Sequence, residues 1–315
     1  MPARRSVLRA TLLVAFSACC FGSISPLTVI ALRSGAALQG IQAWRYLTTA
    51  VLLVLYALFT RAPAHPIAGR EWWRPRVLLV AGGGQATVAT LALLALRWIP
   101  ASTEAFLFYT YPAWVTLFTA LRGVERLTRT RLLALALALG GIAFMVGAPE
   151  AKSLQPIGVA CALIAAIVYS AYIPVLDRLQ RDREPLDVSR AIAVGGAILF
   201  LAWAIATNAL FAHFDARTVV ASVLQGILSA GAFVGFLAGL ESLGAVRTAI
   251  TSTIEPFWTT LLSVLLLAQP AGDGTLIGGA AIMAAVLLLQ WRSVSSVPLD
   301  SSKAQRVDHP GRPTS

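Results

Sequence analysis

Charged residues are scarce in this chain. Of its 315 residues, 57% are hydrophobic and only 12% are charged, whereas a soluble globular protein carries about 25% charged residues. So few charges cannot cover a core of this size with a surface that water solvates. The composition therefore excludes an ordinary soluble domain and indicates a protein whose outer surface contacts lipid.

Patterns that would hold a metal ion, a cofactor or a disulfide are also absent from the sequence. The three cysteines, Cys19, Cys20 and Cys161, fall within apolar runs and lack the spacing of a disulfide framework or a metal site. No cluster of histidine and glutamate has the spacing of a zinc site, and no glycine-rich loop could cradle a phosphate. We therefore expect no metal and no cofactor.

The net charge of +11 would suit a nucleic-acid partner if the basic residues formed one patch. Instead, the arginines lie in short segments between apolar runs, which is the pattern of a membrane protein. We therefore expect the chain to contact the lipid bilayer and to bind no nucleic acid.

Long apolar runs make up most of the chain. A helix needs about 20 mostly apolar residues to cross the hydrocarbon core of a bilayer. The runs that meet this length are residues 9–32, 38–59, 76–96, 100–121, 130–148, 155–175, 187–210, 218–240, 244–267 and 274–292. The first run is too long for a cleaved signal peptide and leads directly into the second. The sequence predicts an all-α integral membrane protein with ten transmembrane helices.

The basic residues between the spans predict the orientation. Of the 25 lysines and arginines, 20 lie in the terminal segments and loops that share one side, four lie on the other side, and Arg45 lies within a span. Basic residues accumulate on the cytoplasmic side of a membrane. We therefore expect a multi-pass protein of a bacterial cell (inner) membrane with both termini in the cytoplasm.

Residues 79–120 and 223–264 look like two copies of one unit. A shift of 144 positions without a gap places Gly82 on Gly226 and Pro112 on Pro256, and it also superimposes several apolar and aromatic residues, such as Trp114 and Trp258. Repeated halves with interrupted apolar segments at equivalent positions are typical of secondary transporters.

Each half contains five predicted spans. Because five is an odd number, the second half must be inserted upside down relative to the first, which gives two inverted five-helix repeats. We assign residues 1–150 to the first repeat and 151–292 to the second. Residues 293–315 are polar and are predicted to form a disordered cytoplasmic tail.

The pattern resembles EamA-type transporters of the drug/metabolite transporter superfamily. The resemblance rests on the five-plus-five spans, on Arg45, and on two related segments: Pro100-Ala101-Ser102-Thr103 with Tyr109-Thr110-Tyr111-Pro112, and Ala245 with Thr253-Ile254-Glu255-Pro256-Phe257. It implies spans around a central cavity that opens alternately to each side, and transport of amino acids, other metabolites or drugs. Many relatives have a glutamate where this chain has Tyr111, so the resemblance does not imply a mechanism with two symmetric carboxylates.

Glu255 is the most informative single residue, because it lies near the centre of an apolar run. A carboxylate at that depth costs about 2.5–3.5 kcal/mol on insertion scales, so it normally faces a cavity or a partner. Thr251, Trp258 and Thr259 share its helical face. The functional interpretation is proton coupling or contact with a cationic group of the substrate. The structural alternative is a protonated glutamate that holds two helices together.

Pro112 and Pro256 occupy equivalent positions in the two copies. Each lacks the N–H that would bond the carbonyl four residues earlier, so the carbonyls of Phe108 and Ser252 lose their helical partner. At membrane depth, protein groups or cavity water must satisfy such carbonyls. We expect both prolines to act as hinges beside a binding site, with a static kink as the alternative.

Arg45 lies roughly 10 Å inside the second span, at 1.5 Å per residue. Glu104 enters the fourth span from the same side, so the two side chains could pair in the outer half of a cavity. The alternative for Arg45 is that its long side chain extends to the outer membrane interface.

Further polar and aromatic side chains within spans are candidates for contact with substrate. They are Gln85, Gln225, Tyr109, Tyr111, Tyr169, Tyr172 and Trp44. For the glutamines, hydrogen bonding between helices is the alternative. Glycine pairs such as Gly140-Gly141 and Gly278-Gly279 predict close helix packing. The spans that hold these pairs could form scaffold or the surface of a homodimer.

These features predict a secondary transporter that moves a small metabolite, such as an amino acid or an amphipathic compound, by alternating access, with export as the expected direction and proton coupling through Glu255. A multidrug exporter or a metabolite importer of the same fold is the alternative. An intramembrane enzyme would need catalytic groups at one depth, and no histidine or aspartate lies in the interior of a span. A scaffold without transport would gain nothing from the cost of burying Glu255.

Overall fold

The computed structural model describes residues 2–60, 73–121, 128–147, 154–180, 183, 185–243, 248 and 251–295. Over these residues α-helix is the only regular secondary structure, which confirms the all-helical prediction for them. The helices are α1 (Pro2–Gly22), α2 (Ile24–Arg33), α3 (Leu38–Thr60), α4 (Pro75–Ala95), α5 (Ala101–Phe108), α6 (Tyr111–Leu121), α7 (Arg129–Gly147), α8 (Pro156–Gln180), α9 (Pro185–Ala206), α10 (Ala216–Leu243), α11 (Ile254–Leu267) and α12 (Asp273–Ser295). Ala245 and residues 296–315 of the predicted tail lie outside the described residues.

Within the described part of the chain, seven helices are long and apolar enough to cross a membrane, when α1 and α2 are taken together. They are Leu8–Arg33, Leu38–Phe59, Pro75–Ala95, Arg129–Val146, Pro156–Leu176, Leu186–Ala206 and Ala216–Gly239. The other three predicted spans coincide with α5 and α6, with α11 and with α12, whose apolar stretches are shorter over the described residues. Interruptions at Tyr109–Thr110 and at Thr253 shorten two of these three spans.

Several helices begin where the sequence provides a starting residue. A proline is the first residue of α4, α8 and α9, and proline suits this position because the first helical N–H has no partner in any case. The α10 helix begins after Asp215, whose carboxylate accepts a hydrogen bond from the Thr218 backbone N–H at 2.8 Å. This is the geometry of an N-cap.

The outer surface is apolar and the interior contains polar groups, which is the reverse of a soluble protein. Leu121 is 74% exposed and Phe59 is 82% exposed. By contrast, Arg45, Glu104 and Gln225 are almost completely buried. A surface of this kind is stable in lipid, where side-chain polarity must face the protein interior, so the chain is a multi-pass membrane protein.

Helices from the first and last parts of the chain pack mainly against each other. Two helices of the first part, α1 and α3, pack against α10. In the same way, two helices of the second part, α8 and α9, pack against α4. Two further large contacts join α3 to α9 and α7 to α12. The helices of the first half therefore contact those of the second half much more than they contact one another.

The connections between helices gather at two ends of the bundle. The guanidinium of Arg33 donates to the Leu267 carbonyl at 3.2 Å, and the Gln39 amide donates to the Thr207 hydroxyl at 3.2 Å. These contacts place the ends of α2, α9 and α11 together, and we call this the Arg33 end. The opposite end is the one at which α1 begins.

Glycines allow α7 and α12 to approach closely, as the sequence predicted. A Cβ atom added to Gly141 would lie 2.7 Å from the Gly278 carbonyl oxygen, and one added to Gly278 would lie 2.6 Å from the Gly141 carbonyl oxygen. Both distances are far below van der Waals contact. By contrast, a Cβ atom added to the adjacent Gly140 would meet nothing within 4 Å.

We expect Gly141→Ala to lower the melting temperature of the purified protein, because the added methyl group forces α7 away from α12. Gly140→Ala is the matched control. It should leave the melting temperature unchanged or raise it, since alanine is about 1 kcal/mol more favourable than glycine inside a helix. Thermal unfolding of the two variants in detergent checks this prediction, and equal melting temperatures would contradict it.

Candidate functional site

Three helices are interrupted at the centre of the bundle. The interruptions separate α1 from α2, α5 from α6, and the helical residues before α11 from α11 itself. Each lies three residues before a proline: Ser23 before Pro26, Tyr109 before Pro112, and Thr253 before Pro256. A proline removes the hydrogen bond to the carbonyl four residues earlier, so it explains a break at this position.

Hydroxyl groups from neighbouring helices satisfy two of the carbonyls that these prolines leave without a partner. The Thr259 hydroxyl donates to the Gly22 carbonyl at 2.8 Å, opposite Pro26. The Tyr109 hydroxyl donates to the Ser252 carbonyl at 2.6 Å. These bonds meet the requirement that backbone groups inside a membrane be satisfied by protein or water, and they tie the interruptions to one another.

Glu255 lies where the three interruptions converge. Its Oε2 lies 2.9 Å from the Tyr109 hydroxyl oxygen, which is within hydrogen-bond distance. On the same face of α11, the indole N–H of Trp258 donates to the Ser23 hydroxyl at 3.0 Å. The face that the sequence predicted for Glu255, Trp258 and Thr259 therefore packs against the junction of α1 and α2. Thr251 is partly buried on the preceding helical residues.

Two internal cavities meet at Glu255. The first has a volume of about 130 Å³ and is lined by aromatic residues together with Glu255; we call it the aromatic cavity. The second has a volume of about 100 Å³ and is lined by Ser25, Arg45, Glu104 and Glu255 among others; we call it the charged cavity. Residues that line both are Phe21, Gln85, Val88, Phe108 and Glu255.

The aromatic cavity extends towards the opposite end of the bundle, since Leu176 and Phe236 near the ends of α8 and α10 line it. Its aromatic side chains contact one another. The ring centroids of Tyr111 and Tyr169 are 4.9 Å apart, and those of Phe108 and Tyr169 are 5.2 Å apart. These side chains offer flat apolar surface with hydroxyl groups at the edge, which suits an amphipathic ligand.

The charged cavity lies nearer the Arg33 end. Arg45 is 4% exposed, and its guanidinium donates to the Ser229 hydroxyl at 2.8 Å and to the Gln42 amide oxygen at 3.1 Å. Glu104 is equally buried and accepts a hydrogen bond from the Ser25 hydroxyl at 3.0 Å. Arg45 is therefore buried rather than extended to the membrane interface.

The structure brings Arg45 and Glu104 to the wall of one cavity without joining them. Over the described residues, no ion pair links the two side chains, and each forms hydrogen bonds with neutral groups. A buried guanidinium and a buried carboxyl that face the same small space can each bind an opposite charge of one ligand. The predicted pair is thus replaced by two separate polar contacts across a cavity.

Other predicted residues occupy different places. Gln85 lines both cavities. Gln225 is buried, and its amide oxygen accepts a hydrogen bond from Thr28 at 3.1 Å, which is the interhelical role given as the alternative. Tyr172 donates to the Ala81 carbonyl at 2.5 Å, and Trp44 donates to the Leu210 carbonyl at 3.0 Å. Neither of these two aromatics is among the residues that line the two cavities, and both act in packing.

Sequence reasoning missed the part of the first span that lines the cavities. Phe21 lines both cavities, and Ser25 lines the charged one. Pro26 was the signal that could have found them, because it predicts an interruption near Ser23 in the same way as the two recognised prolines. The α10 residues Phe233 and Phe236 were also missed, since apolar side chains within an apolar span give no signal.

A third space of about 380 Å³ lies between α4 and α9 and is lined by Thr87, Leu91, Phe200 and Trp203 among others. It contains no charged side chain among its lining residues, and Thr87 and Trp203 are exposed on the outer surface of the bundle. It is therefore a groove on the outer surface of the bundle. The chemistry of the molecule is therefore concentrated at the two cavities around Glu255.

Comparisons with known proteins give one family. The model of the EamA-like transporter family matches residues 8–147 and again residues 156–291. A search of curated proteins finds no match. A solved structure described only as "Crystal structure of protein" is 19% identical, covers 96% of this chain and 99% of its own, and superimposes with a TM-score of 0.63. At this identity the solved structure supports the fold alone.

Proposed function

The chain belongs to the EamA-like transporter family, and from that premise we propose that it exports a small metabolite, an amino acid or an amphipathic compound, across a bacterial cell membrane by alternating access. Family membership supports a membrane transporter of small molecules. The substrate class, the export direction and coupling to protons through Glu255 are the proposed parts.

One observation carries the proposal: Glu255 forms part of the wall between two cavities, at the point where three helices are interrupted. In transporters the binding site lies near the middle of the membrane beside discontinuous helices, and the two sides open in turn around it. The charged cavity extends towards one end of the bundle and the aromatic cavity towards the other. Small movements at the interruptions would open one cavity and close the other.

The helix contacts support a twofold arrangement of residues 1–150 and 151–292. Some of the large contacts between the two parts join helices at equivalent positions, such as α3 and α9. The others occur in pairs: where α1 packs against α10, the equivalent helices α8 and α4 pack in the same way. Gly82 packs against α9, and its counterpart in the repeat, Gly226, packs against α3. Inverted repeats produce this exchange of contacts, so it supports the proposal of two inverted repeats with ten membrane spans.

The charged cavity supports a substrate that carries both signs of charge. Arg45 could bind a carboxylate, and Glu104 could bind an ammonium group, because neither is paired with the other. The apolar part of such a substrate would then extend past Phe21 and Phe108 into the aromatic cavity. An amphipathic amino acid has this distribution of groups.

A second candidate function, export of amphipathic organic cations, draws on the aromatic cavity alone. Glu255 is the charged group among its lining residues, and aromatic side chains bind cations through their faces. The two candidates differ in what they need: an amino acid needs Arg45, whereas an organic cation does not.

The proposed function is tested by comparing intracellular and extracellular metabolites of a deletion strain and an overexpressing strain. A substrate that accumulates inside the first and outside the second is then tested in liposomes containing the purified protein. We expect labelled substrate outside the liposomes to exchange with unlabelled substrate inside. No exchange of any metabolite that differs between the strains would contradict the proposal.

We further propose that both termini are cytoplasmic, on the basis of the bias in basic residues. Reporter fusions after Pro63, Arg126 and Gln180 should give cytoplasmic signals, and fusions after Lys152 and Arg217 should give external signals. An external signal from the fusion after Arg126 would contradict both the orientation and the inversion of the second half.

A further inference from the structure

We propose that Tyr109 is a positioning residue that converts the protonation state of Glu255 into a change at the helix interruption before α11. This inference rests on the proposed role of Glu255 as a proton-binding carboxyl. It adds a residue through which proton binding acts on the backbone, at the point where alternating access requires movement.

The geometry gives one hydroxyl two acceptors. The Tyr109 oxygen lies 2.6 Å from the Ser252 carbonyl oxygen and 2.9 Å from Glu255 Oε2. A tyrosine hydroxyl has one proton to donate and can itself accept hydrogen bonds. It can therefore donate to the carbonyl or to an ionised carboxylate, but it cannot donate to both.

The protonation state of Glu255 decides between the two acceptors. When Glu255 is protonated, its carboxyl O–H donates to the Tyr109 oxygen, and Tyr109 donates to the Ser252 carbonyl, so every group is satisfied. When the proton leaves Glu255, Tyr109 donates to the carboxylate, because a charged acceptor forms the stronger hydrogen bond. The Ser252 carbonyl then loses its donor.

The Ser252 carbonyl has no helical substitute for that donor. It is the carbonyl that Pro256 leaves without an N–H, and a backbone carbonyl inside a membrane must be satisfied by protein or water. Ser252 lines the aromatic cavity. Loss of the Tyr109 bond therefore admits water to the carbonyl from that cavity, or changes the turn at Thr253. Deprotonation loosens the contact between the α5–α6 junction and the start of α11.

Other groups that face Glu255 do not provide this link. The titratable residues close enough to interact electrostatically with it come from α1, α5, α6 and α8: they are Cys19, Glu104, Tyr111 and Tyr169. From α10, the residues on the same cavity wall are Phe233, Phe236 and Leu237, which do not titrate. Among the described side chains, the hydrogen bond to the Glu255 carboxylate comes from Tyr109.

Amide hydrogen exchange of the peptide that contains residues 251–258 tests the proposal in purified full-length protein. Exchange is followed over a pH series that spans the titration of Glu255. The variants are Tyr109→Phe, which removes the hydroxyl, and Glu255→Gln, whose amide N–H can replace the carboxyl proton. Tyr172→Phe is the matched control, because it loses a similar tyrosine-to-carbonyl bond at Ala81 and supplies the intrinsic pH dependence of exchange.

In the wild type, normalised exchange of this peptide should rise about fivefold from the acidic to the alkaline end of the pH series. A fivefold change corresponds to about 1 kcal/mol, which is the net contribution of one typical hydrogen bond. The two variants should lie at opposite limits without pH dependence: Tyr109→Phe with fast exchange throughout, and Glu255→Gln with slow exchange throughout. Wild-type behaviour of Tyr109→Phe would overturn the proposal. If Tyr109→Phe does not fold, the test rests on Glu255→Gln. Exchange in Glu255→Gln that still rises with pH would overturn the proposal.

Flux in liposomes separates this inference from the function on which it rests. The wild type could show the expected exchange pattern while its flux does not respond to a proton gradient. That result would overturn the proposed proton coupling and leave the Tyr109 switch standing. Gradient-driven flux that is equal in the wild type and Tyr109→Phe would overturn the switch and leave the coupling standing.

Discussion

Replacing Glu255 by glutamine is expected to remove the response of transport to an imposed proton gradient while leaving the protein folded. Glutamine keeps the shape and hydrogen-bonding capacity of the side chain but cannot take up or release a proton. Each pH unit of gradient is worth about 1.4 kcal/mol per proton, or roughly tenfold in substrate accumulation. The variant should lose this factor in liposomes containing purified protein and a defined pH gradient.

The fold should survive because a neutral amide is less costly inside a membrane than a carboxylate. The matched control is Asp273→Asn in the first turn of α12, an exposed residue that is not among the lining residues of either cavity. This variant should respond to the gradient as the wild type does. If Glu255→Gln were folded and still responded fully to the gradient, Glu255 would be a residue that only joins helices.

Arg45→Gln is expected to reduce transport of a substrate that carries a carboxylate by roughly 30-fold or more. The variant cannot form the buried ion pair that we propose between Arg45 and the substrate carboxylate, and loss of one member of such a pair costs about 2–5 kcal/mol. The reduction should be much smaller for an amine analogue of the same substrate that lacks the carboxylate. Initial rates of uptake into liposomes at several substrate concentrations, with both compounds, measure this difference.

The comparison between the two compounds also separates an effect of Arg45→Gln on substrate binding from an effect on helix packing. Arg45 holds Gln42 and Ser229, so its loss could weaken the packing of α3 against α10. Such a structural effect would reduce transport of both compounds by the same factor. Equal reductions would therefore contradict the assignment of Arg45 to substrate binding, whereas a selective reduction would support an amino acid over an organic cation.

The sequence predicted the helices and the positions of several cavity residues for physical reasons that act locally. Apolar runs of sufficient length can only be helices in lipid. A carboxylate or a guanidinium inside such a run must turn towards the interior. This is why Glu255, Arg45 and Glu104 were recognised, and why the structure places all three on cavity walls.

Contacts between distant parts of the chain could not be predicted in the same way. Tyr109 and Ser252 are 143 residues apart, and helical periodicity gives the face of a residue but not the helix that this face meets. For the same reason Gln225 was as good a candidate as Gln85, although the structure places it against Thr28. The number of spans also stays a prediction where helices are interrupted.

The interruption of the first span was predictable but was not predicted. The repeat relates Pro112 to Pro256, whereas Pro26 has no counterpart under the same shift. The physical rule is the same for all three prolines. A proline within an apolar span therefore indicates a candidate interruption without the support of a repeat, although Pro174 lies inside α8 without breaking it.

Two-sided cysteine labelling tests alternating access most directly. Single cysteines are placed at Ala92 in the charged cavity and at Leu176 in the aromatic cavity, after Cys19, Cys20 and Cys161 have been replaced by alanine. A membrane-impermeant thiol reagent is added to either side of oriented vesicles. The cysteine at position 92 should react from outside and that at position 176 from the cytoplasmic side, and a substrate gradient should change the two rates in opposite directions. Rates that rise or fall together, or labelling of both positions from one side only, would contradict alternating access around Glu255.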